Sequence, residues 1–194
     1  IKVDRCTYYK DVYVLKEKQD RVLQGLEVYK DGNIYLQNLS SIIPAEILDV
    51  NNKDKVLDMC AAPGGKTLKL AEKMNNEGVI IANEVNRIRY ERLKFNLEKF
   101  GAKNVTSLNL DGRRLMYIYK GYFDKILLDV PCSGEGTITI KNTKKLKLLK
   151  NSPFVKVQKE LVQSAFVSLK KDGVMLYSTC TISPQENEEV INYL

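Results

Sequence analysis

From Lys55 onward the chain alternates short apolar runs with longer stretches in which apolar residues recur at helical spacing. The runs KVLDM, GVIIANE, NVTSLNL, FDKILLDV and GVMLYST predict five strands. Helices are expected over 66–74, 87–100 and 155–169, with a last one from about Pro184. Strands apolar on both faces, each followed by a helix, predict an α/β domain: a mainly parallel, buried sheet with helices on both sides. Over 87–100, Leu93, Leu97 and Phe100 fall on one helical face with Glu and Lys opposite, so these three are expected in the core.

Residues 1–45 follow another pattern. Short alternating pieces (DVYVL, GLEVY, NIYLQ) read as β-like, a turn is expected at Asp31-Gly32-Asn33, and a helix after Ser40-Ser41. This predicts an appended segment, 1–45, packed on a main domain, 46–194. No internal repeat is visible, and 194 residues suit one full core.

The chain has no histidine, which removes Ser-His-Asp and Cys-His chemistry and leaves acid–base work to carboxylates, thiols, Lys or Tyr. The four cysteines (Cys6, Cys60, Cys132, Cys180) form no CxxC pair, so free thiols are expected rather than a metal site or a disulfide framework. With no signal-like or membrane-spanning apolar run, the expectation is an intracellular, reducing location, either cytoplasm or nucleus and nucleolus, with no membrane partner and a monomeric state. A net charge of +7 favours an anionic partner such as nucleic acid. The densest basic stretch is KNTKKLKLLK at 141–150, expected in a loop at the carboxyl edge of the sheet, where it either contacts RNA or is simply solvated.

KVLDMCAAPGGKT joins a strand to a helix through a turn of small residues. Ala61, Ala62, Gly64 and Gly65 let backbone approach a ligand, and the helix amino terminus near Lys66 offers free N–H groups to a carboxylate. The spacing is neither GxxxxGK[ST] nor GxGxxG. Glu84 ends the second strand, about 20 residues past the turn, where a carboxylate accepts from ribose hydroxyls; a solvated loop carboxylate is the alternative. Asp111 follows the third strand and reads either as a contact to the adenine end of a cofactor or as a helix cap. Asp129 ends the fourth.

Cys132 follows the fourth strand in LLDVPCSGEGT, and Cys180 follows the fifth in LYSTCT. Neighbouring parallel strands deliver these carboxyl ends side by side, so both thiols and Asp129 are expected in one pocket. Cys6 reads as a buried structural thiol, and Cys60 as part of the cofactor turn without chemistry. Carbon 5 of cytosine is a poor nucleophile until something adds to C6, and a thiolate suits that addition. Asp129, in a dry site, is placed to meet ring N3, and a second thiol can help the C5 proton leave. Spacing does not say which thiol attacks.

YLQNLSS, VLDMCAAPGGKT, the acidic residue of ANE, LDG, LLDVPCSGEGT, VQKELVQSAF and LYSTCTISPQENE stand in order from about Gly32 to Leu194. In this the chain resembles the Sun/nucleolar-protein family of RNA cytosine-C5 methyltransferases. The resemblance implies a Rossmann-like class I methyltransferase fold over 46–194 that binds S-adenosylmethionine. Its holders would be Cys60, Ala61, Ala62, Pro63, Gly64, Gly65 and Lys66, with Glu84, Arg89, Asp111 and Asp129. It also implies that Cys180, of the Thr-Cys pair, attacks, while Cys132, of the Pro-Cys pair, assists product release; DNA cytosine methyltransferases use the Pro-Cys thiol for attack. The substrate would be ribosomal or transfer RNA. Members carry a Pro and basic residues with an aromatic after the Pro-Cys-Ser-Gly loop, where this chain has TITIKNTKKLKLLKNSPF. They also continue into a final antiparallel hairpin, so an exposed sheet edge is expected here after the fifth strand. Paired thiols separate this reading from a small-molecule or protein methyltransferase, and an intact Cys180 and glycine turn separate it from a non-catalytic RNA-binding relative.

Overall fold

The computed structural model describes residues 1–17, 19–137 and 152–194. The basic stretch 141–150, with the RNA contact expected of it, lies outside the described residues. The chain opens with an antiparallel pair, β1 (Val3–Arg5) and β2 (Tyr13–Leu15), followed by two short helices, α1 (Asp20–Gly25) and α2 (Glu27–Lys30). Here the sequence reading needs correcting. Of its three β-like pieces only DVYVL holds a strand; GLEVY runs from the end of α1 into α2, and 34–38 forms no regular element. Five alternating residues become a strand only where a neighbouring edge offers hydrogen bonds, and among the described residues none pairs with them. Tyr35 instead sets its ring edge-on to Phe100, 4.9 Å between centroids, and Tyr29 reaches the same ring at 6.1 Å. Phe100 is accordingly only half-buried, capped by this segment rather than sunk in the core with Leu93 and Leu97.

Helix α3 (Leu39–Ile47) carries the expected boundary between residues 45 and 46 inside it. It docks on α4 (Gly65–Lys73) through Ala45 and Leu48 against Leu70, Ala71 and Met74. Glu46 adds ion pairs to Lys69 at 3.1 Å and Lys73 at 2.9 Å. Burial pushes the Glu46 carboxyl up, and the two lysines more than offset this, leaving it below its ordinary value.

The sheet consists of β3 (Lys55–Asp58), β4 (Val79–Asn83), β5 (Val105–Leu108), β6 (Phe123–Asp129) and β7 (Leu169–Ser178). All pairings are parallel, in the order β5-β4-β3-β6-β7. Side chains alternate between its faces as the period of two requires. Leu57, Ile126 and Leu128 meet Leu161, Val162 and Ala165 of α6 (Val155–Ser168) on one side. Val56, Ile80 and Leu127 meet α3 and α4 on the other. Helix α5 (Arg87–Lys99) packs Leu93 and Leu97 on Ala61, Ala62 and Ala82. Beyond β7, a 3-10 turn (Pro184–Glu186) leads into α7 (Glu188–Ile191). Strand β7 begins at Leu169, four residues before the expected run, and lies at the sheet edge. No helix among the described residues is long and apolar enough to cross a membrane.

The strand order reverses at β3, whose neighbours β4 and β6 are followed by helices on opposite faces. Open α/β sheets bind ligands outside the carboxyl ends of the strands at such a point. The described cofactor and thiol candidates drawn from the sequence lie along this edge.

Candidate functional site

The turn after β3 is held by its neighbours from both sides. Asn83, fully buried at the end of β4, donates to the carbonyls of Met59 (3.1 Å) and Leu110 (3.0 Å) and accepts from Leu110 N–H. Arg89 donates to the Ala62 carbonyl (2.9 Å), and Asn96 to that of Pro63 (2.8 Å). Gly64 sits at φ 109°, a conformation that favours glycine, and a Cβ there would meet Leu93 at 3.1 Å. At Gly65 a Cβ would press within 2.6 Å of Gln37 and 2.9 Å of Tyr35. The small residues here thus admit neighbouring protein as much as any ligand. No side chain caps the amino terminus of α4, so its first-turn N–H groups remain available to an acceptor.

Three carboxylates line this end. Glu84 is buried at 2% exposure; it accepts from Asn86 N–H at 2.9 Å and faces Arg89 at 3.4 Å. Its burial is unlike a solvated loop residue. Asp111 is the amino-terminal cap of the 3-10 turn Gly112–Tyr117. Arg113 grips it from N–H and guanidinium, 2.6–3.0 Å, and this holds its carboxyl below the ordinary carboxylate value. Asp58 the sequence reading passed over. It is 1% exposed, one oxygen accepts from Thr67 Oγ1 at 2.7 Å, and the other is buried with no partner among the described residues. Burial pushes Asp58 up to about 7. A charged residue inside the run VLDM was the available signal.

At the β6 and β7 ends, Asp129 receives Lys66 Nζ at 2.8 Å and Ser178 Oγ, from the adjacent strand, at 2.7 Å. Lys66 extends from α4, so this pair joins the turn after β3 to the far strands. The two thiols converge as the strand order requires: Cys132 Sγ and Cys180 Sγ stand 3.1 Å apart, and Cys180 N–H points at Cys132 Sγ from 3.3 Å. Cys180 is exposed and Cys132 half-buried. Burial, then the Cys132 contact, then Asp129 push the Cys180 thiol up to about 11. Cys60, by contrast, lies in the turn with its thiol pushed far up by burial and by Asp58, Glu84 and Asp129, which keeps it an unreactive thiol. Cys6, expected in the core, is only half-buried in the loop between β1 and β2.

A model of the 16S rRNA methyltransferase RsmB/F family matches residues 45–194. The chain belongs to this family. A ribosomal RNA small subunit methyltransferase F from Vibrio campbellii is 44% identical over 171 residues, covering 86% of this chain. Among solved structures, NSun6 from Pyrococcus horikoshii superposes with a TM-score of 0.76 at 33% identity, covering 88% of this chain and 44% of that one. A methyltransferase homolog from the same organism gives 0.74 at 36%, covering 88% and 54%. The chain spans only 36% of the Vibrio relative. The Rossmann-like methyltransferase sheet expected from the sequence is the fold found.

Proposed function

We propose that the chain is the catalytic part of an enzyme that methylates C5 of a cytosine in ribosomal RNA, with S-adenosylmethionine as methyl donor. The observation that carries this reading is the pair of thiols 3.1 Å apart at adjoining strand ends, beside a Lys66–Asp129 pair. Methylation of an amine or hydroxyl has no use for such a pair; a C6 adduct at cytosine does. The bacterial relative acts on small-subunit ribosomal RNA by its name, which favours ribosomal over transfer RNA and the cytoplasm over the nucleolus.

The residues fit the cofactor. The uncapped α4 terminus suits a carboxylate, buried Glu84 a ribose diol, and the unpartnered oxygen of Asp58 faces no competing donor, in keeping with a cationic ligand nearby. Cys60, Ala61, Ala62, Pro63, Gly64, Gly65 and Lys66 form the cradle. Arg89 braces it from behind, and Asp111, already gripped by Arg113, borders the adenine end. When bound, S-adenosylmethionine supplies an electrophilic methyl group.

This chain's own residues do the rest. Cys180 Sγ adds to C6; the S–C6 bond forms as the C5–C6 double bond opens and leaves C5 electron-rich. Once C5 carries the methyl group, its proton leaves to solvent past Cys132, which stands 3.1 Å from Cys180 and assists that departure. The S–C6 bond then breaks and the ring double bond returns. Because the Cys180 thiol is pushed up to about 11, it is protonated in the free protein near neutral pH; its proton passes by way of Asp129 to ring N3 as the S–C6 bond forms. Asp129, held by Lys66 and Ser178, meets the N3 and amino edge of the ring.

The test is transfer of labelled methyl groups to small-subunit RNA lacking the modification, followed by bisulfite sequencing to find the cytosine. Cys180→Ala is expected to abolish transfer, and full activity in that variant refutes the assignment. If Cys180→Ala traps a denaturation-stable protein–RNA adduct while Cys132→Ala does not, the two thiols exchange roles.

A further inference from the structure

The Pro-Gln-Glu-Asn run after β7 lies outside the machinery described so far, yet its last two residues, Glu186 and Asn187, each reach one thiol loop. Glu186 is fully buried. Its Oε2 accepts from the backbone N–H of Ser133 at 3.1 Å, immediately after Cys132, and from Gln158 Nε2 at 2.8 Å. The same Gln158 nitrogen donates to the Pro131 carbonyl at 2.9 Å, immediately before Cys132. Cys132 is thus bracketed on both sides by one buried carboxylate–amide unit. Asn187 turns the other way. Its Oδ1 accepts from Thr179 Oγ1 at 2.7 Å, and its Nδ2 donates to the carbonyls of Thr181 at 3.2 Å and Ser183 at 2.9 Å. Thr179 and Thr181 flank Cys180.

We infer that Glu186, through Gln158, and Asn187 are positioning residues, one for each thiol, and that their adjacency in the chain sets the separation of the two sulfurs. The network is a poor device for stability alone. It sinks a carboxylate in the core and leaves Glu186 Oε1 and Gln158 Oε1 buried without partners among the described residues, a cost that an apolar packing would avoid. Burial pushes the Glu186 carboxyl up, and hydrogen bonds led by those from Ser133 and Gln158 more than offset it, so the acceptor stays charged at neutral pH. Tyr177, at the end of β7, anchors the turn itself by donating to the Glu186 carbonyl at 2.7 Å.

The division of labour between the thiols rests on the function proposed above; the positioning does not, and two measurements keep them apart. The first needs no RNA: alkylation of the protein by iodoacetamide, with the rates at Cys132 and Cys180 read separately by peptide mass spectrometry. Glu186→Ala is expected to change the Cys132 rate at least about threefold more than the Cys180 rate. Asn187→Ala is expected to do the reverse, and Glu186→Gln, which keeps an acceptor oxygen, to return Cys132 towards the unmodified protein. Gln158→Leu keeps the volume of the side chain and removes the second bracket, so it reproduces the Cys132-selective effect if Glu186→Ala does not fold. Equal changes at both thiols, or none at either, overturn the inference. The second measurement is the adduct with RNA. Glu186→Ala is expected to accumulate it as Cys132→Ala does, and Asn187→Ala to form less of it. If Cys132→Ala itself traps no adduct, the assigned roles fail while the alkylation pattern still decides the positioning.

Discussion

The two halves of the sheet edge handle their polar groups in opposite ways. At the β3 and β4 ends, Asp58, Asn83 and Glu84 are sunk to 1–2% exposure, Asn83 and Glu84 fixed mainly by backbone groups and Asp58 by the Thr67 hydroxyl. At the β6 and β7 ends, the two sulfurs sit at or near the surface on loops with no regular structure, and the fixing is done from behind, by side chains on α6 and the turn after β7. A cofactor presents one unchanging shape, so its site can be a finished part of the core. A base that bonds to the protein and then leaves needs accessible atoms, whose aim is set by groups that never touch it.

If this contrast holds, substitutions at the two ends separate into effects on turnover and effects on cofactor affinity. The largest effect is expected for Cys180→Ala, a loss of at least about 10³-fold in turnover, with calorimetry showing cofactor affinity unchanged; a matching loss of affinity would dissolve the distinction. Next, Cys132→Ala is expected to slow turnover by about 10²-fold and to leave an adduct visible on a denaturing gel. Glu84→Ala is expected to weaken cofactor binding by about 10- to 100-fold, as for a lost hydrogen bond to a charged group, without altering Cys180 alkylation. A different kind of effect, on stability rather than on turnover or affinity, concerns Asp58 and appears only as pH changes. Its carboxyl is raised from an ordinary value of 3.8 to about 7, so the stability it contributes is whole below about pH 4 and is lost as pH rises towards 7. Asp58→Asn is expected to remove that decline, up to about 1.4 kcal/mol per pH unit across the window; parallel unfolding curves for the two proteins at pH 4 and pH 7 would contradict it.

The parallel sheet was legible because its strands are apolar on both faces and its helices are periodic, and the convergence of Cys132 and Cys180 followed from strand order alone. Residues 1–45 were not, because GLEVY and NIYLQ are too short to choose between strand and helix without knowing whether a strand edge lies nearby. Phe100 had helical spacing in its favour, but what covers it comes from Tyr29 and Tyr35, far away in the chain. Gln158 and Glu186 escaped notice for a similar reason: their partners lie 27 to 53 positions off. A signal was nevertheless present at Gln158. It shares the apolar face of α6 with Leu161, Val162 and Ala165, and an amide at such a position requires a partner.

Lys66 belongs to both halves: its stem rises from the amino terminus of α4 and its ammonium rests on Asp129. On the function proposed above, a change in this lysine on cofactor binding would reach Asp129, and thermodynamic linkage would make the exchange reciprocal. If the cofactor tightens the grip on RNA by some factor, RNA must tighten the grip on the cofactor by the same factor. One side chain would thereby let occupancy of either site be read as affinity at the other.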